Sequence, residues 1–237
     1  MAPNMISNRT CRRFWSTVIL LVASLDAWAM PPRHISAQEK ALLPPYCKHT
    51  QGGFVGHENP QRPSVGAMRW VSAFGGQEGM TAHLWRMHHY CYALIHMMRG
   101  KRAGLTKMEY KEAWTGAIEE MDFTLQFLPP DFVLMPEMML NRGRSLMRLK
   151  KADAAMENFA KSIEAKSDYW PPYLEMADYQ VSVGAKAKAI ETLQEGLRKA
   201  PDAKALRSRL RELGGAMPES AAEELPAMPP SPSSERP

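Results

Sequence analysis

Apolar residues recur every three or four positions from about Gly79 onward. Leu84, His88, Cys91, Ile95 and Met98 fall on one side of a 3.6-residue period, the pattern of an amphipathic helix. Gly100 and Gly104 in "RGKRAG" give it a stop. A second helix is expected from Thr106 to Phe127, with Tyr110, Trp114, Ile118, Met121 and Leu125 on one face, ended by Pro129 and Pro130. Pro136 opens a third, running to Leu149, and a fourth covers Ala152 to Ala165. After "DYWPPY", where Pro172 suits a first helical turn, helices follow at Tyr173 to Val183, Ala185 to Ala200 and Ala203 to Leu213. Gly214 and Gly215 close the last one. No stretch alternates with the period of two that a strand requires.

The two ends lack this periodicity. Residues 30–78, rich in Pro, Gly and polar residues, read as an irregular N-terminal arm with one short helix. Residues 216–237 are a Pro/Ser-rich tail of disordered composition. Residues 79–215 form the helical domain between them.

Within that domain the chain aligns with itself at a shift of 34 residues. Ala155 falls on Ala189, Phe159 on Leu193, Ser162 on Gly196, and Ser167 on Pro201. Small residues in these registers let helices approach, and Phe159 and Leu193 fill the layer between them. Met139 with Gly143, and Tyr173 with Ala177, supply the large-then-small pairing of a preceding helix. A 34-residue period of paired helices carrying this pattern resembles the tetratricopeptide repeat (TPR) family. Ala189, Leu193, Gly196 and Pro201 match the family's second helix in full, and at Ser167 a serine stands where the family has proline. Trp85, His89 and Tyr92 place a degenerate first pair in the same register, with His88 and His89 in place of the usual leucine and glycine.

The resemblance implies an all-α, right-handed α-solenoid of about three helical hairpins: 82–128, 136–169 and 170–203. A capping helix at 203–213 follows, with Arg207, Arg209 and Arg211 turned outward. It also implies a partner groove along the first helix of each pair. Its residues would be His83, Arg86 and Tyr90, then Leu140, Arg144, Met147 and Arg148, then Leu174, Asp178 and Val181. The arginines in this set favour a ligand that bears carboxylates. A protein or peptide segment in an envelope assembly or secretion complex is the expected partner, and end-to-end stacking into a homodimer is open to such an array.

The N-terminus changes the chemistry available to the rest. Arg9, Arg12 and Arg13 precede an apolar run from Phe14 to Leu25, followed by Ala27-Trp28-Ala29. This is the layout of a cleaved signal peptide, 1–29, cut after Ala29. Met5 is an alternative start. The run is shorter than the roughly 20 residues that span a bilayer, and no later stretch is long and apolar enough. The expected destination is the periplasm or the exterior. The net charge of +5 is spread without a Lys/Arg block, which argues against nucleic acid.

Of three cysteines, Cys11 leaves with the leader, so Cys47 and Cys91 remain as an even pair in an oxidising compartment. Three readings stay open: a disulfide, two buried thiols, or a zinc or copper site. The last would join Cys47, His49, His88 and Cys91, with Met87, Met97 and Met98 as soft neighbours. It would make the protein a metal handler with the repeats as scaffold. No haem-attachment motif, phosphate-cradling glycine loop or serine elbow occurs, and no carboxylate pair comes with a plausible cleft, so no cofactor and no catalysis are expected. Met135, Met138, Met139 and Met147 lie at helical spacing and suit an adaptable core.

Overall fold

The structure is a computed structural model, and it describes residues 32, 34–50, 64–73 and 86–219. Residues 1–29, expected to be a signal peptide, lie outside these residues, as do His83 and most of the tail. The described residues are helical, without strands. A short helix α1 (Ala37–Leu42), a 3-10 turn (Pro45–His49) and α2 (Val65–Ala73) make up the arm. It therefore holds more helix than the one short segment expected. Six helices follow: α3 (His88–Gly100), α4 (Lys107–Leu125), α5 (Met135–Arg148), α6 (Ala152–Ala165), α7 (Pro171–Ser182) and α8 (Lys186–Lys199). α9 (Lys204–Glu212) comes last.

Local chemistry sets several of these boundaries. Thr106 caps α4: its hydroxyl accepts from the Glu109 amide while the Glu109 carboxylate accepts from the Thr106 amide. Ser36 and Glu39 repeat the arrangement at α1. Pro136 and Pro172 occupy first-turn positions of α5 and α7, where a missing N–H costs nothing. The ends of α5 and α7 are built alike. Lys151 N–H donates to Leu146 C=O, and 34 residues on Ala185 N–H donates to Gln180 C=O. In each turn one residue takes a left-handed backbone, Lys150 (φ 60°) and Gly184 (φ 81°).

Each helix packs most closely on its chain neighbour, α3 on α4, α5 on α6 and α7 on α8, with α9 laid against α8 and α7. Small residues permit this. The Phe159 ring occupies the space a β-carbon on Gly143 would need, and the Tyr173 and Leu206 side chains do the same at Gly196. The apolar interior consists of three buried clusters in series. The first joins the arm, α3, α4 and the start of α5 around Tyr90, Trp114 and Met121. The second sits between α5 and α6 around Leu140 and Phe159. The third holds α7, α8 and α9 around Tyr173, Leu193 and Leu206.

Two features fix the arm to α3. Cys47 and Cys91 are joined, with S–S 2.06 Å and Cα–Cα 5.9 Å, both cysteines fully buried. Beside them Glu39 receives hydrogen bonds from Arg99 Nε (2.7 Å) and Arg102 (2.7 Å). Hydrogen bonding from Arg99 holds the Glu39 carboxyl down at about 2. The capping helix departs from expectation in one respect. Arg211 is exposed, but Arg209 turns inward and binds Asp178 of α7 at 2.8 Å, and Arg207 is only partly exposed.

Candidate interaction cleft

The first helices of the three pairs, α3, α5 and α7, come together around a cleft of about 600 Å³. Its walls come from four elements. Met97 and Lys101 stand at the C-terminal end of α3, and Trp114 of α4 contributes a ring. Arg144, Met147 and Arg148 project from the last turns of α5. Glu175, Asp178, Tyr179 and Ser182 form one stripe of α7.

The charges in the cleft are unequally satisfied. Arg144 Nε donates to Glu175 at 2.7 Å, and Asp178 accepts from Arg209, so α7's carboxylates are both held. Lys101 and Arg148 form no ion pair with any described residue. The Arg148 guanidinium lies 5.8 Å from the Trp114 ring centroid, a cation–π contact that orients it without neutralising it. Trp114 is 1% exposed, and its indole N–H meets no acceptor among the described residues. Glycine at position 100 admits it, since the indole edge fills the place of a β-carbon there. The cleft thus offers two cations without carboxylate partners among the described residues, over an apolar floor of Met97, Met147 and Trp114.

A buried polar chain stiffens its base. Tyr90 O–H donates to Glu137 at 2.6 Å and accepts from Asn141 Nδ2 at 2.8 Å, and Asn141 Oδ1 in turn faces Arg144 at 3.4 Å. Burial pushes the Tyr90 hydroxyl well above its ordinary range, so it stays a donor.

Of the groove residues expected from the resemblance, Arg144, Met147, Arg148 and Asp178 line the cleft. Tyr90 and Leu140 do not, being 0% and 1% exposed, because their apolar surface is better used between helices. Leu174 and Val181 pack on the C-terminal cluster instead. On α7 the cleft stripe runs through 175, 178, 179 and 182, so the expected stripe of 174, 178 and 181 is rotated by about one position. Arg86 stands away from the cleft, 4.5 Å over Phe127, and His83 lies outside the described residues. Lys101, Trp114 and Glu175 were not anticipated. Trp114 reads as core by periodicity, Lys101 lies in a turn, and Glu175 shows itself only by its spacing from Asp178.

The Cys47, His49, His88, Cys91 set is not assembled. The two sulfurs are bonded to each other, His49 packs beside Gly66, and His88 stacks against His89 and Tyr92. Among the described residues no three His, Cys, Asp or Glu side chains converge as metal ligands would. The buried partnership in this helix belongs to His89, whose Nδ1 lies 2.5 Å from Glu120 Oε2, with Phe123 stacked at 4.0 Å. Glu120 is fully buried, and its other oxygen has no hydrogen-bond partner among the described residues.

In comparisons with known proteins the chain matches no family model and no curated protein.

Proposed function

We propose that this chain is an exported, TPR-like interaction module that holds an acidic segment of a protein partner in the cleft between α3, α5 and α7. The observation that carries the reading is the pair of cations, Lys101 and Arg148, without carboxylate partners among the described residues and set over an apolar floor. A carboxylate placed there gains charge-assisted hydrogen bonds, and the neighbouring apolar side chain buries against methionine and indole. The 34-residue sequence period and the matching turns after α5 and α7 support a solenoid of about three hairpins, right-handed as in the family it resembles. The buried Cys47–Cys91 bridge supports an oxidising destination, periplasmic or secreted, reached through cleavage after Ala29. Among the described residues no helix is long and apolar enough to cross a membrane.

The test is selection from a displayed random-peptide library on the purified protein, followed by titration of the winners. Acidic peptides should emerge, and Arg148→Glu should weaken them by about tenfold or more, the loss of one charged hydrogen bond. Selection without acidic bias, or affinities indifferent to Lys101→Glu and Arg148→Glu alike, would remove this reading. Arg148 is the better target than Arg144, which Glu175 already engages.

A further inference from the structure

The two carboxylates that α7 brings to the cleft are held in different ways. Asp178 accepts from Arg209 of α9, whose guanidinium also binds Glu212 (2.9 Å), so its partner comes from outside the cleft. Glu175 instead accepts from Arg144, a residue of the cleft wall itself, and the pair joins α7 to α5. Both of its side chains stay partly open to water, Arg144 40% and Glu175 33% exposed. An ion pair that wet contributes little net stability, so exchanging Glu175 for another carboxylate costs little. Arg144 also keeps its aim without Glu175. Tyr90 O–H donates to Glu137 and accepts from Asn141 Nδ2, which leaves Asn141 Oδ1 to face Arg144 Nη1. Arg144 and Arg148 are four residues apart on α5, hence one turn apart on one face, with ~6 Å between β-carbons. Alternate side chains of an extended segment point the same way and are spaced ~7 Å apart.

We propose that Glu175 stands in for a partner's carboxylate on Arg144, and that the cleft reads an extended segment whose acidic residues lie two positions apart, one on Arg148 and one on Arg144 in place of Glu175. The inference rests on the proposed function and adds to it the spacing of the carboxylates and the residue that sets their worth. Arg148 forms no ion pair with any described residue, so it takes the first acidic side chain at once. The second acidic side chain must displace Glu175 and gains only the difference between two similar ion pairs. Glu175 thereby keeps Arg144 neutralised in the empty cleft and makes the module tolerant of segments with a single carboxylate.

The experiment titrates two acetylated and amidated peptides, GEGEGLMG and GEGGGLMG, calorimetrically into the purified protein and its variants, and reads the ratio of their affinities. In wild type the ratio should be about threefold or less, because the second carboxylate only replaces Glu175. In Glu175→Gln it should rise by about tenfold, the effect of one charged hydrogen bond. Arg144→Gln/Glu175→Gln should return it to the wild-type value. Asp178→Asn removes the same charge from the same helix without releasing Arg144, so it should move the ratio by no more than about twofold at physiological salt. All three positions are partly exposed, so these changes leave the core untouched, and circular dichroism checks this. An equal rise in Glu175→Gln and Asp178→Asn would mean that the wall acts through its overall charge alone, and would overturn the proposal while leaving the cleft as an acidic-segment site. A rise that persists without Arg144 would overturn it as well, as would a wild-type ratio as large as that of Glu175→Gln. No binding of either peptide to any of these proteins would overturn the spacing too, and the library-selected peptides would then decide the fate of the cleft by themselves.

Discussion

Lys150 carries a side chain in a backbone region that favours glycine. At φ 60° its β-carbon crowds the following carbonyl, at a cost of roughly 1 kcal/mol. The equivalent turn 34 residues on has Gly184 there, free of that penalty. Lys150→Gly should therefore raise the unfolding free energy by about 0.5–1 kcal/mol, and Gly184→Lys should lower it by a similar amount, both read from urea midpoints. A lower midpoint for Lys150→Gly would mean that the lysine makes a contact worth more than the strain. His89 and Glu120 give a second test. Removing the imidazole leaves a fully buried carboxyl without its partner, so His89→Ala should cost about 2–4 kcal/mol. The double variant His89→Leu/Glu120→Leu should cost less than the two single changes together, because neither group is then stranded. These residue-scale features were only partly readable from sequence. "HHYC" announced unusual chemistry, but nothing in the spacing said that Glu120, 31 residues away on the next helix, would be the partner of the second histidine.

At the scale of elements, the arm depends on α3. By the loop-closure estimate a bridge across this loop contributes roughly 3–4 kcal/mol, and Glu39 with Arg99 adds an ionic hold. Cys47→Ser/Cys91→Ser should lower stability by about that amount in denaturant titration. In hydrogen exchange the loss should fall on residues 37–49 and spare α7–α9. The ionic hold has a definite pH sense. Glu39 has its folded-state pKa depressed from 4.5 to about 2, so its stabilisation is complete above the unfolded value and is lost as pH falls through that interval. Acid titration should release the arm between about pH 4.5 and 2, and Glu39→Gln should remove that step. Helices α4 to α9 were legible because proline, glycine and capping residues mark their ends and the 3.6 period fills them. α1 and α2 were not, because six- and nine-residue helices in a Pro/Gly-rich arm show too few turns for a period to emerge. Tyr90 and Leu140 of the expected groove set are buried between helices for a related reason. A family register tells which helix lines a groove, but tertiary packing decides which side of each residue is buried.

For the whole molecule, three clusters in series mean that stability is divided along the chain. Leu206→Ala, in the last cluster, should cost about 2–5 kcal/mol and open α7–α9 first, leaving α3 and α4 protected in native-state hydrogen exchange. Uniform loss of protection would instead mean one cooperative core. The cleft gathers residues from the last turn of α3, the middle of α4 and the faces of α5 and α7, spread over 86 positions from Met97 to Ser182. Sequence showed the stripes on individual helices, whereas their convergence depends on how far each pair rotates on the next, which no single helix encodes.

The Cys47–Cys91 bridge also has a mechanical meaning. Tension applied between the two ends of the chain runs through the S–S bond and bypasses the 44-residue span that the bridge encloses. In an optical trap the oxidised protein should release ~150 Å less contour on full unfolding than the reduced one. The part of the arm that follows Cys47 would ride on α3 as an unstretched loop, while the stretch before Cys47 and the distal pairs take the load.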